Sequence, residues 1–185
     1  IVVLKTRVKN RMNTKYNKLQ KLLKDMRRVM IAYSGGVDST LLLKAARDVL
    51  NENVLAVTAL SATTPEIERK DAVRLAHSMR VKHILLESKE LELPDFTKNP
   101  LDKCYICKKH RFGALIELAR KKKINYILDG ANRDDHKDFR PGMRATRELG
   151  IRSPLSEAGL TKAEIRRISK KLKLSTWDKP SRACL

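Results

Sequence analysis

One stretch decides the fold of this chain: Ser34-Gly35-Gly36-Val37-Asp38-Ser39-Thr40. The apolar run at 29–33 precedes it and predicts a buried strand, and the apolar run at 41–46 follows it and predicts a helix. Adjacent glycines allow the backbone to turn its N–H groups toward an anion. The hydroxyls of the stretch add further donors, and the new helix adds the positive end of its dipole. The sequence therefore predicts a phosphate-binding loop between a strand and a helix.

This loop differs from the common nucleotide-binding loop GxxxxGK[ST], because it has no lysine and its glycines come too early. An SGGxDS sequence after a strand resembles instead the PP-loop of the ATP pyrophosphatases. The resemblance implies an enzyme that binds ATP at residues 34–40, with Mg²⁺ near Asp38. It also implies that ATP is split into AMP and pyrophosphate to activate a substrate as its adenylate. The alternative is a strand–helix turn, rich in serine and glycine, that binds no ligand.

Strand and helix patterns alternate along the rest of the chain. They predict strands at 29–33, 54–59, 83–86 and 126–129, and helices at 39–49, 65–79, 105–121 and 161–172. We expect Thr64 to cap one helix with Pro65 at its first position, and Thr161 with Glu164 forms the pattern of a capping box. The alternation predicts an α/β, Rossmann-like parallel sheet with helices on both faces, the PP-loop type of architecture.

Ligands of such sheets bind beyond the carboxyl ends of the strands. Leu60 and Ser61 follow the second predicted strand, and Gly130 follows the fourth. We therefore expect these residues to line an adenosine pocket beside residues 34–40. For the dipeptide Asp129-Gly130, the alternative is a simple turn without a ligand.

Two further groups of polar residues, a pair of aspartates and the histidines, give weaker signals of a metal site. If the chain has a PP-loop site, Asp134 and Asp135 lie close enough to it to assist a metal ion. The histidines show no spacing typical of metal ligands, and we expect them, His83 included, to be solvated.

Composition predicts a globular cytoplasmic protein. The chain has 185 residues, of which 42% are hydrophobic, enough for one α/β domain with a core. No apolar run approaches the length of a bilayer span, and no secretory signal is visible. We therefore expect a cytoplasmic location and no membrane partner. Three cysteines, an odd number, argue against a disulfide framework.

The basic N-terminus has two explanations. Net charge is +20, and residues 1–30 contain ten Lys or Arg against one acid, Asp25. Such an arm can bind RNA, or it can be a solvated helix with one buried apolar stripe. The stripe would comprise Leu19, Leu22, Leu23 and Met26. We favour the helix, and we divide the chain into a helical segment at 1–28 and a PP-loop ATP pyrophosphatase domain at 29–185.

Cysteines form the second chemical signal. Cys104 and Cys107 lie three positions apart at a predicted helix start, so both sulfurs face one side, which is typical of metal or cluster ligation. A redox pair or free structural cysteines are the alternatives. Cys184 has the cations Lys179 and Arg182 nearby, which favour a thiolate. Three cysteine ligands on a 4Fe-4S cluster would leave one iron open for an external sulfur atom.

Three further segments resemble the LarE family, the ATP-dependent sulfur insertases for the nickel-pincer nucleotide cofactor of lactate racemase. The segments are CYICKKHRFGAL at 104–115, DGANRDDHKDFRPGMRATRELGIRSPLSEAGLTKAEIR at 129–166, and TWDKPSRACL at 176–185. Together with SGGVDST, they extend the likeness from about residue 30 to the end of the chain.

This resemblance implies adenylation of a pyridinium dicarboxylate mononucleotide, followed by replacement of a carboxylate oxygen by sulfur. Some members take the sulfur from a sacrificial cysteine at the position matching Cys184, and others hold a 4Fe-4S cluster on three cysteines. Because Cys104, Cys107 and Cys184 are all present, we expect the cluster-bearing kind. Arg140 and Arg144 could hold a phosphate or carboxylate of the substrate, or could lie on a surface loop.

Members of the LarE family continue with a smaller C-terminal region that helps to bind substrate and to assemble oligomers. This chain ends before that region, so we expect the region to be absent from it. As a separate expectation from the family resemblance, we predict that the protein forms homo-oligomers. Two rival functions remain open. A PP-loop tRNA thiolase would bind tRNA with a steep salt dependence. A non-catalytic nucleotide- or metal-binding module would bind ATP and release no pyrophosphate.

Overall fold

A computed structural model describes residues 2–60, 65–88, 102–137 and 141–180 of the chain. Its strands are β1 (Val29–Ala32), β2 (Val54–Leu60), β3 (Lys82–Glu87) and β4 (Tyr126–Leu128). Its helices are α1 (Val2–Met26), α2 (Val37–Leu50), α3 (Glu66–Ser78), α4 (Lys103–Lys121), α5 (Pro141–Glu148), α6 (Pro154–Glu157) and α7 (Lys162–Lys171). A short 3₁₀ helix, Arg133–Lys137, lies between β4 and α5.

The described strands form one parallel sheet in the order β3-β2-β1-β4. Ile31 of β1 pairs with Ala56 of β2 on one side and with Leu128 of β4 on the other. The chain steps outward from β1 through β2 to β3, whereas β4 lies on the opposite side of β1. In an open parallel sheet, a crevice forms beyond the carboxyl ends of the strands where the winding direction reverses. Residues 34–40 follow β1 and Asp129 follows β4, so both flank this crevice.

Side chains of β1 divide between two cores, because successive residues of a strand point to opposite faces of a sheet. Val29 and Ile31 pack among apolar side chains of α1, α2, α3 and α7. Met30 packs on the other face with Phe112 and Leu115 of α4. Helices therefore cover both faces of the sheet, and the predicted α/β, Rossmann-like fold is confirmed.

Helix α1 contributes a buried stripe to the first of these cores. Leu19, Leu23 and Met26 are buried, and Leu22 packs against the same core while partly exposed. Near the middle of the helix, Lys15 donates from Nζ to Glu164 of α7 at 2.7 Å. The stripe predicted from the sequence is thus confirmed, while the boundary between a segment at 1–28 and a domain at 29–185 stays a prediction.

Helix starts differ from the predicted positions by one or two residues. Helix α2 begins at Val37 rather than at 39, because the Thr40 N–H already donates to the Gly36 carbonyl at 3.0 Å. Asp38 consequently lies inside the first helical turn. Helix α3 begins at Glu66, directly after Pro65, and Thr64 lies outside the described residues. The capping box that opens α7 is present as predicted.

Candidate functional site

The loop between β1 and α2 is shaped by Gly35 and covered by α3. Gly35 has a φ of +68°, in the left-handed region that side chains disfavour. A Cβ at this position would lie 3.2 Å from the Cβ of Ala72 and 3.3 Å from its Cα. The loop therefore approaches α3 as closely as only glycine allows.

Hydroxyl groups join the two ends of the loop. Ser34 Oγ and Ser39 Oγ lie 3.1 Å apart, and Ser34 Oγ accepts a hydrogen bond from the Gly36 N–H at 3.3 Å. Ser39 Oγ in turn donates to the Gly36 carbonyl at 3.3 Å. These contacts fix the conformation of the loop at the amino end of α2, where a helix is electrically positive.

The turn after β4 packs directly against the first turn of α2. A Cβ on Gly130 would lie only 3.1 Å from the main-chain nitrogen of Ser39. The neighbouring Asp129 is 7% exposed, and its Oδ1 accepts hydrogen bonds from Ser153 Oγ at 2.6 Å and from the Ala131 N–H at 3.1 Å. Burial raises the pKa of Asp129 despite these donors. Gly130 thus lies beside the loop, as the sheet topology leads one to expect.

Asp38 carries the main electrostatic feature of the site. Its Oδ2 accepts a hydrogen bond from Lys162 Nζ, whereas its Oδ1 is buried and has no hydrogen-bond partner among the described residues. Burial raises the pKa of Asp38, the Lys162 ammonium opposes that rise, and the nearby Asp135 carboxylate reinforces it. A buried carboxylate oxygen without a partner is costly unless a ligand satisfies it.

The unpartnered oxygen of Asp38 fits a Mg²⁺ ion. Proteins usually bind Mg²⁺ through one or two carboxylates, and phosphates of the substrate supply further ligands. Asp38 provides one such carboxylate oxygen, and Asp135 adds to the negative field around it. No group of three or more His, Cys, Asp or Glu side chains suited to a metal occurs among the described residues.

Lys162 is a functional candidate that the sequence analysis missed. It is the first residue of α7, and its main-chain N–H donates to Asp134 Oδ2 at 2.9 Å. Asp135 Oδ2 accepts from the Asn132 N–H, also at 2.9 Å. The two carboxylates predicted to assist a metal therefore hold main-chain N–H groups. The signal for Lys162 was present in the LarE-like GLTK sequence, where it follows the capping threonine.

A segment we name the strap, residues 174–180, contacts the loop, although the sequence predicted Lys179 only as a cation near Cys184. Arg166 of α7 donates to the carbonyls of Trp177 and Lys179, each at 2.8 Å. Lys179 in turn donates from Nζ to the Gly35 carbonyl at 3.4 Å. The strap therefore brings a lysine to a loop whose own sequence contains none.

His83 corrects an expectation, because it is not a solvated histidine. Its Nε2 lies 2.8 Å from Thr58 Oγ1, and its ring meets Tyr33 edge-on with centroids 5.7 Å apart. Burial lowers the pKa of His83. Thr58 Oγ1 also lies 2.6 Å from the Tyr33 carbonyl, to which it donates. The three side chains therefore support the chain directly before the loop.

Cys104 and Cys107 lie in the first turns of α4, Cys104 exposed and Cys107 half-buried, and neither forms a disulfide bond within the described residues. Their spacing places both sulfurs on one side of the helix, which fits two ligands of a cluster. Between them Tyr105 carries the Arg144 guanidinium 4.0 Å above its ring and donates from its hydroxyl to Glu148 at 2.6 Å. The predicted third ligand, Cys184, lies outside the described residues.

Of the other predicted site residues, some are described by the structure and some are not. Leu60 ends β2 half-buried, and Arg144 is mostly exposed and forms an ion pair with Glu148 at 3.3 Å. Ser61 and Arg140 lie outside the described residues. ATP binding by residues 34–40, Leu60 and Gly130 stays a prediction, as does substrate binding by Arg144.

The chain is similar to known proteins over most of its length. Residues 5–153 match the model of a family described as the PP-loop domain. The chain belongs to the PP-loop family. No described helix has the length and apolar character that a membrane crossing requires.

Two curated relatives cover most of the chain. An uncharacterized protein of Synechocystis sp. is 42% identical over 94% of this chain and 65% of its own length. A pyridinium-3,5-bisthiocarboxylic acid mononucleotide synthase of Lactiplantibacillus plantarum is 37% identical over 90% of this chain and 60% of its own length. The second relative confirms the resemblance to the LarE family. The chain spans less than two thirds of the length of either relative.

Solved structures of the same fold are more distant in sequence. An NMN synthetase from Francisella tularensis has a TM-score of 0.72 at 17% identity and covers 92% of this chain and 75% of its own. A tRNA thiolase from Methanococcus maripaludis, solved with its [4Fe-4S] cluster, has a TM-score of 0.70 at 18% identity. The match covers 96% of this chain and 68% of the thiolase chain. At these identities the likeness establishes the fold alone.

Proposed function

We propose that the protein is an ATP-dependent sulfurtransferase that adenylates a carboxylate of a pyridinium dicarboxylate mononucleotide and then replaces an oxygen of that carboxylate by sulfur. One observation carries the ATP chemistry: the unpartnered Asp38 Oδ1 beside Lys162, in the first helical turn of an SGGVDST loop. Similarity to the bisthiocarboxylic acid mononucleotide synthase supports the substrate class.

In this proposal, residues 34–40 bind the β- and γ-phosphates of ATP at the amino end of α2. Main-chain N–H groups and the hydroxyls of Ser34 and Ser39 donate to the phosphate oxygens. Lys162 adds positive charge from α7, and Asp38 would hold Mg²⁺ through its free oxygen. When bound there, Mg²⁺ offsets the negative charge of the phosphates. Leu60, Ser61 and Gly130 surround the adenosine.

The substrate carboxylate then attacks the α-phosphorus, and the bond from that phosphorus to pyrophosphate breaks. The product is an acyl-adenylate, whose carbonyl carbon now carries AMP as a leaving group. A sulfur nucleophile attacks that carbon, and AMP departs with the electron pair of the broken C–O bond. Because ATP supplies the leaving group, the reaction needs no strong general base. Arg140 and Arg144 are the proposed contacts for acidic groups of the substrate.

Two sources of sulfur are consistent with the cysteines. In the first, Cys104, Cys107 and Cys184 hold a 4Fe-4S cluster, which when bound supplies an open iron for an external sulfur atom. In the second, the Cys184 thiolate itself attacks, and cleavage of its Cβ–S bond with loss of the α-proton leaves dehydroalanine. We favour the cluster, because the chain has all three cysteines and the first two share one side of α4.

The test of the function is substrate-dependent release of pyrophosphate. Purified protein with Mg·ATP should release pyrophosphate when the pyridinium dicarboxylate mononucleotide is added, and sulfur should appear in the product. Anaerobic protein should contain about four irons per chain and be brown if the cluster is present. ATP binding without pyrophosphate release would instead identify a nucleotide-binding module.

A tRNA thiolase is the second candidate, and the net charge of +20 with the basic helix α1 is the observation that favours it. Binding of tRNA with an affinity that falls steeply with salt, together with thiolation of that tRNA, would support this candidate instead. A cytoplasmic location and a homo-oligomeric state complete the proposal, to be checked by cell fractionation and by light scattering.

A further inference from the structure

The loop at 34–40 contains no lysine, yet three cations of the described residues converge on it. Lys162 is engaged with Asp38, and the guanidinium of Arg166 is engaged with two carbonyls of the strap. Lys179 is the third. It differs from the other two because its ammonium contacts the main chain of the loop, at the carbonyl of Gly35, whereas Lys162 contacts the side chain of Asp38.

The contacts of Lys179 are long. Its Nζ lies 3.4 Å from the Gly35 oxygen and 3.7 Å from Asp71 Oδ2, which is beyond the usual hydrogen-bond distance. An ammonium group has three donors. The side chain is 22% exposed, so the charge is partly removed from water, and no described residue provides a close anionic partner. A phosphate oxygen beside Gly35 would provide a stronger, charge-assisted hydrogen bond than either present contact.

Contacts with α7 and with the core hold the strap in place and position Lys179 beside the loop. Leu174 and Thr176 are buried, and Arg166 holds the main chain on either side of Asp178 at 2.8 Å. Lys170 of α7 stacks over the Trp177 ring at 4.2 Å. Helix α7, which supplies Lys162 to the loop, therefore also anchors the segment that supplies Lys179.

We propose that Lys179 is a phosphate-binding residue of the ATP site, which exchanges its contacts with Gly35 and Asp71 for the β- and γ-phosphates. This inference rests on the proposed function, because it takes the loop to be the binding site for the pyrophosphate portion of ATP. It adds a residue that the loop sequence lacks and that a separate segment of the chain supplies.

Calorimetric titration with inorganic pyrophosphate, ATP and AMP tests the proposal. Lys179→Met should weaken binding of pyrophosphate and ATP about tenfold to a hundredfold, since a charge-assisted hydrogen bond is lost. AMP, which lacks the β- and γ-phosphates, should bind within about twofold of the wild type. Lys179→Arg should retain most of the affinity for pyrophosphate. Lys171→Met, on the exposed end of α7, is the matched control for the loss of one positive charge.

Asp71→Asn separates the proposal from a purely structural ion pair. If Lys179 only joins the strap to α3, then Asp71→Asn and Lys179→Met should weaken pyrophosphate and AMP binding alike. The proposal instead expects Asp71→Asn to leave pyrophosphate binding unchanged or tighter, because the lysine is released toward the ligand. Equal losses for both ligands, or none in Lys179→Met, would overturn it.

Lysine acetylation of the wild-type protein provides a second measurement that needs no folded variant. Pyrophosphate should slow the acetylation of Lys179, measured by peptide mass spectrometry, whereas AMP should not. An unchanged acetylation rate at saturating pyrophosphate would contradict the proposal. Wild-type protein that binds neither pyrophosphate nor ATP would refute the proposed function as well, and that result is distinguishable because it precedes any substitution.

Discussion

The phosphate loop and the cysteine turn of α4 are built very differently. The loop contacts α3 through Gly35, the β4 turn through Ser39, α7 through Asp38 and the strap through Lys179. The cysteine turn exposes Cys104 and packs against α5: a Cβ on Gly142 would lie 3.2 Å from the Cys104 carbonyl oxygen, and Tyr105 contacts Arg144 and Glu148. We infer that the phosphate end, residues 34–40, is held by contacts with four separate segments of the chain, whereas the cysteine end, residues 104–107, packs against α5 and leaves Cys104 exposed.

The largest effect should come from breaking the phosphate end. Asp38→Ala and Ser34→Ala should each lower pyrophosphate release by at least about a hundredfold, because a charged or hydrogen-bonding group at the reacting phosphates is removed. Asp48→Ala, later in the same helix and paired with Lys44, should leave the rate unchanged. Normal turnover by folded Asp38→Ala protein would refute the ATP assignment.

The next effect should break the cysteine end and leave the phosphate end intact. Cys104→Ala and Cys107→Ala should each lose iron, brown colour and sulfur transfer, yet keep pyrophosphate release within about a few-fold of the wild type. If Cys184 is instead a sacrificial donor, both variants should remain active, and the spent chain should be lighter by one H₂S at Cys184. Sulfur transfer by a variant lacking all three cysteines would contradict both versions.

A pair of glycine substitutions compares a closely packed position beside the phosphate loop with an open position in the middle of α4. Gly130→Ala should destabilise the protein by about 1–3 kcal/mol, because its Cβ would press on the Ser39 nitrogen at 3.1 Å. Gly113→Ala lies in α4, where a Cβ meets no atom within 4 Å, and should stabilise the protein by about 0.5–1 kcal/mol. Urea unfolding measures both values, and equal changes would contradict the difference in space beside the two glycines.

The smallest effect concerns the amino-terminal cap of α7, the helix whose first residue, Lys162, contacts Asp38. Burial would raise the pKa of Glu164, but hydrogen bonds from Lys15 and from Thr161 outweigh it and lower the pKa. Since the folded-state pKa is lowered, the carboxylate stabilises the fold above its ordinary pKa, and this contribution is lost as pH falls through the lowered value. Glu164→Gln should therefore cost about 1 kcal/mol near neutral pH and nothing in acid.

Unfolding free energies of the wild type and Glu164→Gln across the acidic range measure this difference. Glu52→Gln is the control, because Glu52 is 68% exposed and its ion pair with Arg47 lies on the surface. A Glu164→Gln difference that stays constant as the pH falls would show that the carboxylate charge contributes nothing to the cap.

Features that depend on neighbouring residues could be predicted from the amino-acid sequence. The strand before Ser34, the helix after it, the alternation of strands and helices and the capping box of Thr161 and Glu164 all follow from local backbone preferences and hydrophobic periodicity. The buried stripe of α1 was predictable for the same reason, since helical periodicity decides which side chains share a face.

Contacts between distant residues at the loop could not be predicted and are known from the folded structure. Lys162 lies 124 positions from Asp38, and Lys179 lies 144 positions from Gly35. No local pattern encodes such pairs, because they arise when the parallel sheet brings the ends of separate strand–helix units to one edge. The sequence predicts a solvated His83 for the same reason: its partner Thr58 is on the neighbouring strand, and strand pairing is a property of the folded sheet.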